Sequence, residues 1–221
     1  MSASLSATYF IDKDHPDIIA FSKKHAGTGT TDKERAVSLY YAVRDLIRYN
    51  PYSIEPVKDS IKASAVLAKK EGYCVAKAVL LAACLRSQKI PARLGFADVK
   101  NHLNTERLKA LMQTDLFVWH GFAEIYLEGR WVKATPAFNL SLCEAFNVKP
   151  LEFDGTRDSI FHPFDNLGNR HMEYVTDHGS FDDLPWDRAL AAMKQAYPKY
   201  FETYERKAGD FNAEAARENK G

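Results

Sequence analysis

The run from Gly72-Tyr73-Cys74 through Val75-Ala76 to Leu85 constrains this chain more than any other stretch. It is apolar, alanine-rich and free of helix breakers, so it predicts a helix from Cys74 to Ser87. Val75, Val79, Ala82 and Leu85 or Arg86 mark its packed side. Small alanines allow close approach by neighbours, which suits a central helix lying on a sheet. The preceding glycine puts the Cys74 thiol at the helix N-terminus. There the unpaired N–H groups and the positive end of the helix dipole favour thiolate over thiol. His120, at the start of a strand-like segment, is an available partner. A cysteine on a helix start and a histidine on a strand form the core of a nucleophilic acyl-transfer site.

Composition excludes several alternatives. With 221 residues the chain suits one well-buried core better than two small domains. A net charge of +1 gives no reason to expect nucleic acid or an anionic membrane as partner. Residues Met1 to Ala7 show neither a basic nor an apolar leader pattern, and no apolar run approaches a membrane span. Three cysteines make no disulfide framework, so a cytoplasmic location with reduced thiols is expected. The glycine-rich phosphate and dinucleotide loops are missing. His162, His171 and His178 match no metal-ligand spacing, and Asp154 to Asp158 misplaces the glycine and glutamate of a calcium loop. No cofactor or metal is expected.

Along the chain, Thr31-Asp32-Lys33-Glu34 is a capping box announcing a helix with Val37, Tyr40, Val43 and Ile47 on one face, stopped at Asn50-Pro51. Ser60 to Lys70 and Asn104 to Thr114 read as further helices, the latter a candidate lid over the cleft. Ala92 to Phe96 begins a strand. Phe117 to Leu127 and Arg130 to Thr135 form a hairpin across Glu128-Gly129. With Leu127 opposite Arg130, His120 comes opposite Ala137, and Thr135 and Asn139 are its diagonal neighbours, roughly 7–8 Å away. Either could orient the imidazole. Tyr9 to Ile19 carries no clear signal. Past Pro136 the signals thin until a helix from Trp186 to Tyr197, and Asp210 to Gly221 reads as a frayed polar end. The reading is one domain over 1–221, with core motifs at 47–136 and an aromatic extension over 139–221. That extension finishes the core, walls one side of the cleft, or both.

Glu71-Gly72-Tyr73-Cys74, Leu80 to Arg86 and Ile90-Pro91-Ala92-Arg93 resemble the nucleophile helix of transglutaminase-like cysteine enzymes. His120 with Glu124-Ile125-Tyr126, then Trp131-Val132 and Thr135-Pro136, resembles that superfamily's histidine strand and return strand. The resemblance implies an α+β, papain-like core with the nucleophile helix on an antiparallel sheet. It also implies Cys74 as nucleophile, His120 as general base and acid, and Thr135 at the third position. There the superfamily usually has aspartate, and a threonine hydroxyl can hold the ring but supplies no charge. Asn139, Asp154 or Asp165 are the other candidates for that role. For an oxyanion, the Cys74 N–H is the natural first donor, and Tyr49, Asn50 or Tyr52 could supply a second. Cys84 and Cys143 read as structural, and Glu124 as an ion-pair or surface residue.

The function expected is hydrolysis of an amide, peptide or isopeptide bond, in a small molecule or peptide, through a Cys74 acyl-thioester. Two alternatives stand beside it. One is an inactive binding module on the same fold; the other is an acyltransferase with a small thioester donor.

Overall fold

The computed structural model describes residues 2–102, 104–161, 172–202 and 209–218. In chain order the elements are α1 (Pro16–His25), α2 (Asp32–Leu46), β1 (Arg48–Tyr49), α3 (Ala63–Lys69), β2 (Glu71–Gly72) and α4 (Cys74–Ser87). They continue with β3 (Ala92–Asn101), α5 (Glu106–Met112), β4 (Leu116–Leu127), β5 (Arg130–Ala134) and α6 (Leu140–Ala145). The last are β6 (Met172–Phe181), α7 (Trp186–Ala196), α8 (Pro198–Glu202) and α9 (Phe211–Glu218). An antiparallel sheet in the order β5-β4-β3-β6 carries α4 on one face, and α1, α2 and α3 pack around α4. This is the α+β architecture expected.

Helix α4 begins at Cys74 as predicted, but it has no single packed side. Every residue from Cys74 to Arg86 is buried. Even Lys77 is inside, its Nζ donating to the carbonyls of Arg44 (2.9 Å), Ile47 (2.6 Å) and Ala137 (2.8 Å). Burial disfavours its charge and pushes its pKa down; three carbonyl acceptors offset part of that cost. Lys77 thereby ties the end of α2 and the chain after Pro136 to the back of the nucleophile helix.

The capping box at Thr31 and Glu34 is present. Helix α2 stops earlier than expected, with Ile47 as its C-cap, because Arg48 and Tyr49 pair with Glu71 and Gly72. The segment from Ser60 divides into a 3-10 turn (Lys58–Ile61) and α3. The unassigned N-terminal stretch leads into α1.

The hairpin register is as predicted, Leu127 against Arg130 through to Ala123 against Ala134. Glu128 and Gly129 both take left-handed φ, 49° and 87°, the conformation a two-residue hairpin turn demands. Pairing between β4 and β5 ends at Ala134. Thr135 then donates its N–H to Ser159 O (3.0 Å), and Ser159 donates to Lys133 O (2.8 Å).

Two expectations about the C-terminal third are corrected. Met172–Phe181 is a strand, β6, joined to the sheet through β3. The polar end is not frayed over 211–218: α9 buries Phe211 and Ala215, and buried Glu214 accepts the Tyr52 hydroxyl.

Candidate active site

Cys74 and His120 border one narrow cavity of about 20 Å³, room for about one water. Its walls include Pro51, Ile54, Met112, Phe117, Met193 and Tyr197. The contact between the two elements is close. A Cβ placed on Gly121 would lie 2.9 Å from Val75 Cα, so only glycine lets β4 meet the start of α4 here. The backbone N–H groups of Gly121, Val75 and Cys74 all act on the Cys74 sulfur. The residue after His120 therefore packs against Val75, the residue next to the nucleophile candidate.

Burial decides the protonation of the pair. Cys74 is 9% exposed and His120 6%. Desolvation pushes the Cys74 thiol up to about 11, against the three N–H groups that favour thiolate. This corrects the expectation of a thiolate: the helix start acts in the expected direction, and burial outweighs it. The same desolvation pulls His120 down to about 4, so near neutral pH the imidazole is a free base lining the same cavity as a protonated thiol.

His120 Nε2 and Thr135 Oγ1 are both buried and without a hydrogen-bond partner among the described residues. Buried polar atoms are normally paired, so two such atoms at the positions of a base and its orienter are notable. The Thr135 backbone is fixed: its carbonyl lies 3.1 Å from the Tyr40 hydroxyl. Two aromatic rings lie against His120, Phe161 at 5.4 Å and Tyr174 at 6.4 Å between ring centroids, and the Tyr174 hydroxyl also acts on the Thr135 side chain. Burial raises the Tyr174 hydroxyl to about 12.

The alternatives for the third position are placed elsewhere. Asn139 accepts the Tyr49 N–H (3.0 Å) and donates to Ser141 (2.7 Å), because the chain leaves the sheet before reaching it. Asp154 is exposed and closes a turn on Thr156 and Arg157. Asp165, like His162 and His171, lies outside the described residues. Glu124 is a buried ion-pair partner of Arg93 (2.5 Å) and accepts Ser180. Cys84 and Cys143 are buried in the hydrophobic core. Of the oxyanion candidates, Asn50 is occupied with Glu71 and Tyr52, and Tyr52 with Glu214. Tyr49 borders the cavity. Met193 of α7 and Tyr197, its C-cap, were missed as cavity walls, since nothing in their local sequence announces where α7 docks. Among the described residues no cluster of His, Cys, Asp or Glu fits a metal ion. No described helix is long and apolar enough to cross a membrane.

A helix on an antiparallel sheet, with cysteine at its start and histidine on the facing strand, has the arrangement of a papain-like core. Residues 19–136, more than half of the chain, match the transglutaminase-like superfamily, and the chain belongs to that family. No curated protein sequence matches it. Among solved structures it is similar to a presumed cysteine protease from Cytophaga hutchinsonii, at 18% identity and a TM-score of 0.46, covering 60% of this chain and 40% of that one. It is also similar to a presumed protease from Parabacteroides distasonis, at 13% identity and a TM-score of 0.42, covering 63% of this chain and 27% of that one. The chain thus spans less than half the length of either.

Proposed function

We propose that this chain is a thiol hydrolase that cleaves an amide, peptide or isopeptide bond through an acyl-thioester on Cys74. The observation that carries the reading is the contact at the helix start. There the Gly121 N–H acts on the Cys74 sulfur, and His120 borders the same cavity with its imidazole held neutral.

In this mechanism the pair starts uncharged. As sulfur attacks the carbonyl carbon, His120 takes the thiol proton, and the carbonyl oxygen becomes an oxyanion held by the Cys74 N–H. The Tyr49 hydroxyl is the second donor in this reading. Collapse of the intermediate breaks the C–N bond, and the imidazolium protonates the departing amine. Water then attacks the thioester, giving its proton to His120, and the acid leaves as the thiol re-forms. Thr135, turning its hydroxyl to the imidazole, orients the ring and satisfies the buried His120 nitrogen. The cavity holds only about one water, so acylation requires the wall formed by Met112, Met193 and Tyr197 to move. Its apolar lining favours an uncharged acyl group.

Incubation with a panel of p-nitrophenyl esters and anilides, followed by intact-mass and peptide mapping, tests this. The expected result is a transient acyl adduct on Cys74, absent in Cys74→Ala and strongly reduced in His120→Ala. Adducts spread evenly over Cys74, Cys84 and Cys143 contradict it. Release of nitrophenol equal in wild type and Cys74→Ala would instead favour the binding-module reading.

A further inference from the structure

The residue before His120 is held in an unusual conformation by a cluster that the proposed mechanism does not use. Strand β3 runs between β4 and β6, and both neighbours are irregular at one level. Between the pairs Ala97–His120 and Val99–Phe117, β4 fits two residues, Val118 and Trp119, against the single Asp98. Between Phe96–Gly179 and Ala97–Asp177, β6 leaves His178 unpaired. It also skips Val175 between Asp98–Thr176 and Val99–Tyr174, so β6 is irregular on both sides of Asp98 and β4 bulges opposite it. At the β4 bulge Trp119 takes a φ of 56°, a left-handed conformation that bulky residues adopt only where the surroundings enforce it.

Asp98 supplies that enforcement. Its Oδ1 accepts the Trp119 N–H at 2.9 Å and lies 2.7 Å from His178 Nε2. The His178 ring in turn stacks on the indole, with centroids 4.6 Å apart and planes 6° from parallel. Phe96 packs on the same indole at 5.3 Å, and the Arg188 guanidinium of α7 lies 5.6 Å from its centroid. One carboxylate oxygen thus joins three strands around a left-handed tryptophan.

The consequence falls on the next residue. A bulge shifts strand phase by one, and side chains beyond it exchange faces. Without the extra residue, His120 and Gly121 would trade places. A side chain would then project where a Cβ already lies 2.9 Å from Val75 Cα, and the imidazole would leave the cavity it shares with Cys74.

We propose that Asp98 and His178 are positioning residues, which hold Trp119 in its left-handed conformation and so aim the His120 imidazole at the nucleophile. The proposal rests on the reading of His120 as the proton acceptor of Cys74. Two readouts separate them: the ring ¹H–¹⁵N resonances of His120, and the rate of Cys74 alkylation by iodoacetamide at pH 7. Asp98→Asn keeps the oxygen acceptor and is expected to leave both close to wild type. Asp98→Ala removes it and is expected to displace the His120 resonances and slow alkylation on the order of tenfold, the scale of a small misplacement of a reacting group. His120 resonances unmoved by Asp98→Ala overturn the proposal, and so does an equal effect of Asp98→Asn and Asp98→Ala. Should Asp98→Ala not fold, His178→Ala decides: displaced His120 resonances support the positioning role and unmoved ones overturn it. Alkylation of His120→Ala at the wild-type rate would sink the base assignment alone, since the ring resonances still report the positioning.

Discussion

The region from Cys74 to Ala134 and the region after Leu140 contribute to the site in opposite ways. The first supplies the candidate reactive atoms, on α4 and β4. Among its described residues the second supplies no candidate reactive atom, yet much of the environment of those atoms comes from it. Phe161 and Tyr174 lie against the His120 ring, Met193 and Tyr197 close the cavity, and Ser159 takes the Thr135 N–H. What differs is the kind of work: chemistry in one region, exclusion of water in the other. Exclusion of water sets the protonation states, for burial pushes Cys74 up to about 11 and His120 down to about 4. A helix start alone would have favoured the thiolate. In the proposed mechanism the pair therefore starts neutral, and side chains of the C-terminal third contribute to its burial.

The sharpest way to break this division is to remove the base. His120→Ala should lower turnover on an activated acyl substrate by about 10²–10⁴-fold, the usual worth of a positioned proton acceptor. Loss of less than about tenfold would leave the reactive region without its second member.

A test of the burial half is stability against acid. The folded pKa of His120 lies below the ordinary 6.5, at about 4. Its contribution is then fully present above pH 6.5 and is lost as pH falls toward 4, because only the unfolded chain binds the proton there. That gap is worth about 3 kcal/mol. Urea unfolding at pH 7 and pH 4.5 should show a larger loss in wild type than in His120→Gln, and equal losses would contradict the burial argument.

The anchoring of the second region can be weakened at Tyr52, which lies outside both regions. Its hydroxyl donates to buried Glu214 of α9, and Tyr52→Phe should cost about 2 kcal/mol, the scale of a hydrogen bond to a charged group. Unchanged unfolding midpoints would show that the Tyr52 hydroxyl does not hold α9 in place. The smallest effect is expected at Thr135. Thr135→Ala should slow turnover about tenfold, one net hydrogen bond, with Thr135→Ser restoring most of it. Equal rates in all three would remove Thr135 from the mechanism.

The division between regions also explains what the sequence allowed to be read. Cys74 as a helix start, the capping box at Thr31 and the turn at Glu128-Gly129 are local signals, each fixed by residues a few positions apart, and all three are present. Strand β6 carries no such signal. Asp177, His178 and Gly179 interrupt it, and most of its side chains are exposed or half-exposed at the sheet edge. Its place is set by pairing with β3, about eighty residues earlier in the chain. Lys77 reads as a break in an apolar face, and its burial depends on three carbonyls from other segments. The Trp119 bulge is invisible for the same reason, since a tryptophan is the last residue that φ preference would put there. The thiol's protonation reversed the local expectation because burial is a property of the assembled molecule.

Cys143 provides the internal control for the central claim. Burial pushes its thiol up to about 11, the same value as Cys74. If acidity alone governed reactivity, the two would be alkylated together. Iodoacetamide labelling at pH 7, followed residue by residue by mass spectrometry, should mark Cys74 well ahead of Cys143 and Cys84, with the advantage lost in His120→Ala. Labelling of Cys74 no faster than Cys143 would mean that the imidazole does not serve the sulfur, and the account would fail there.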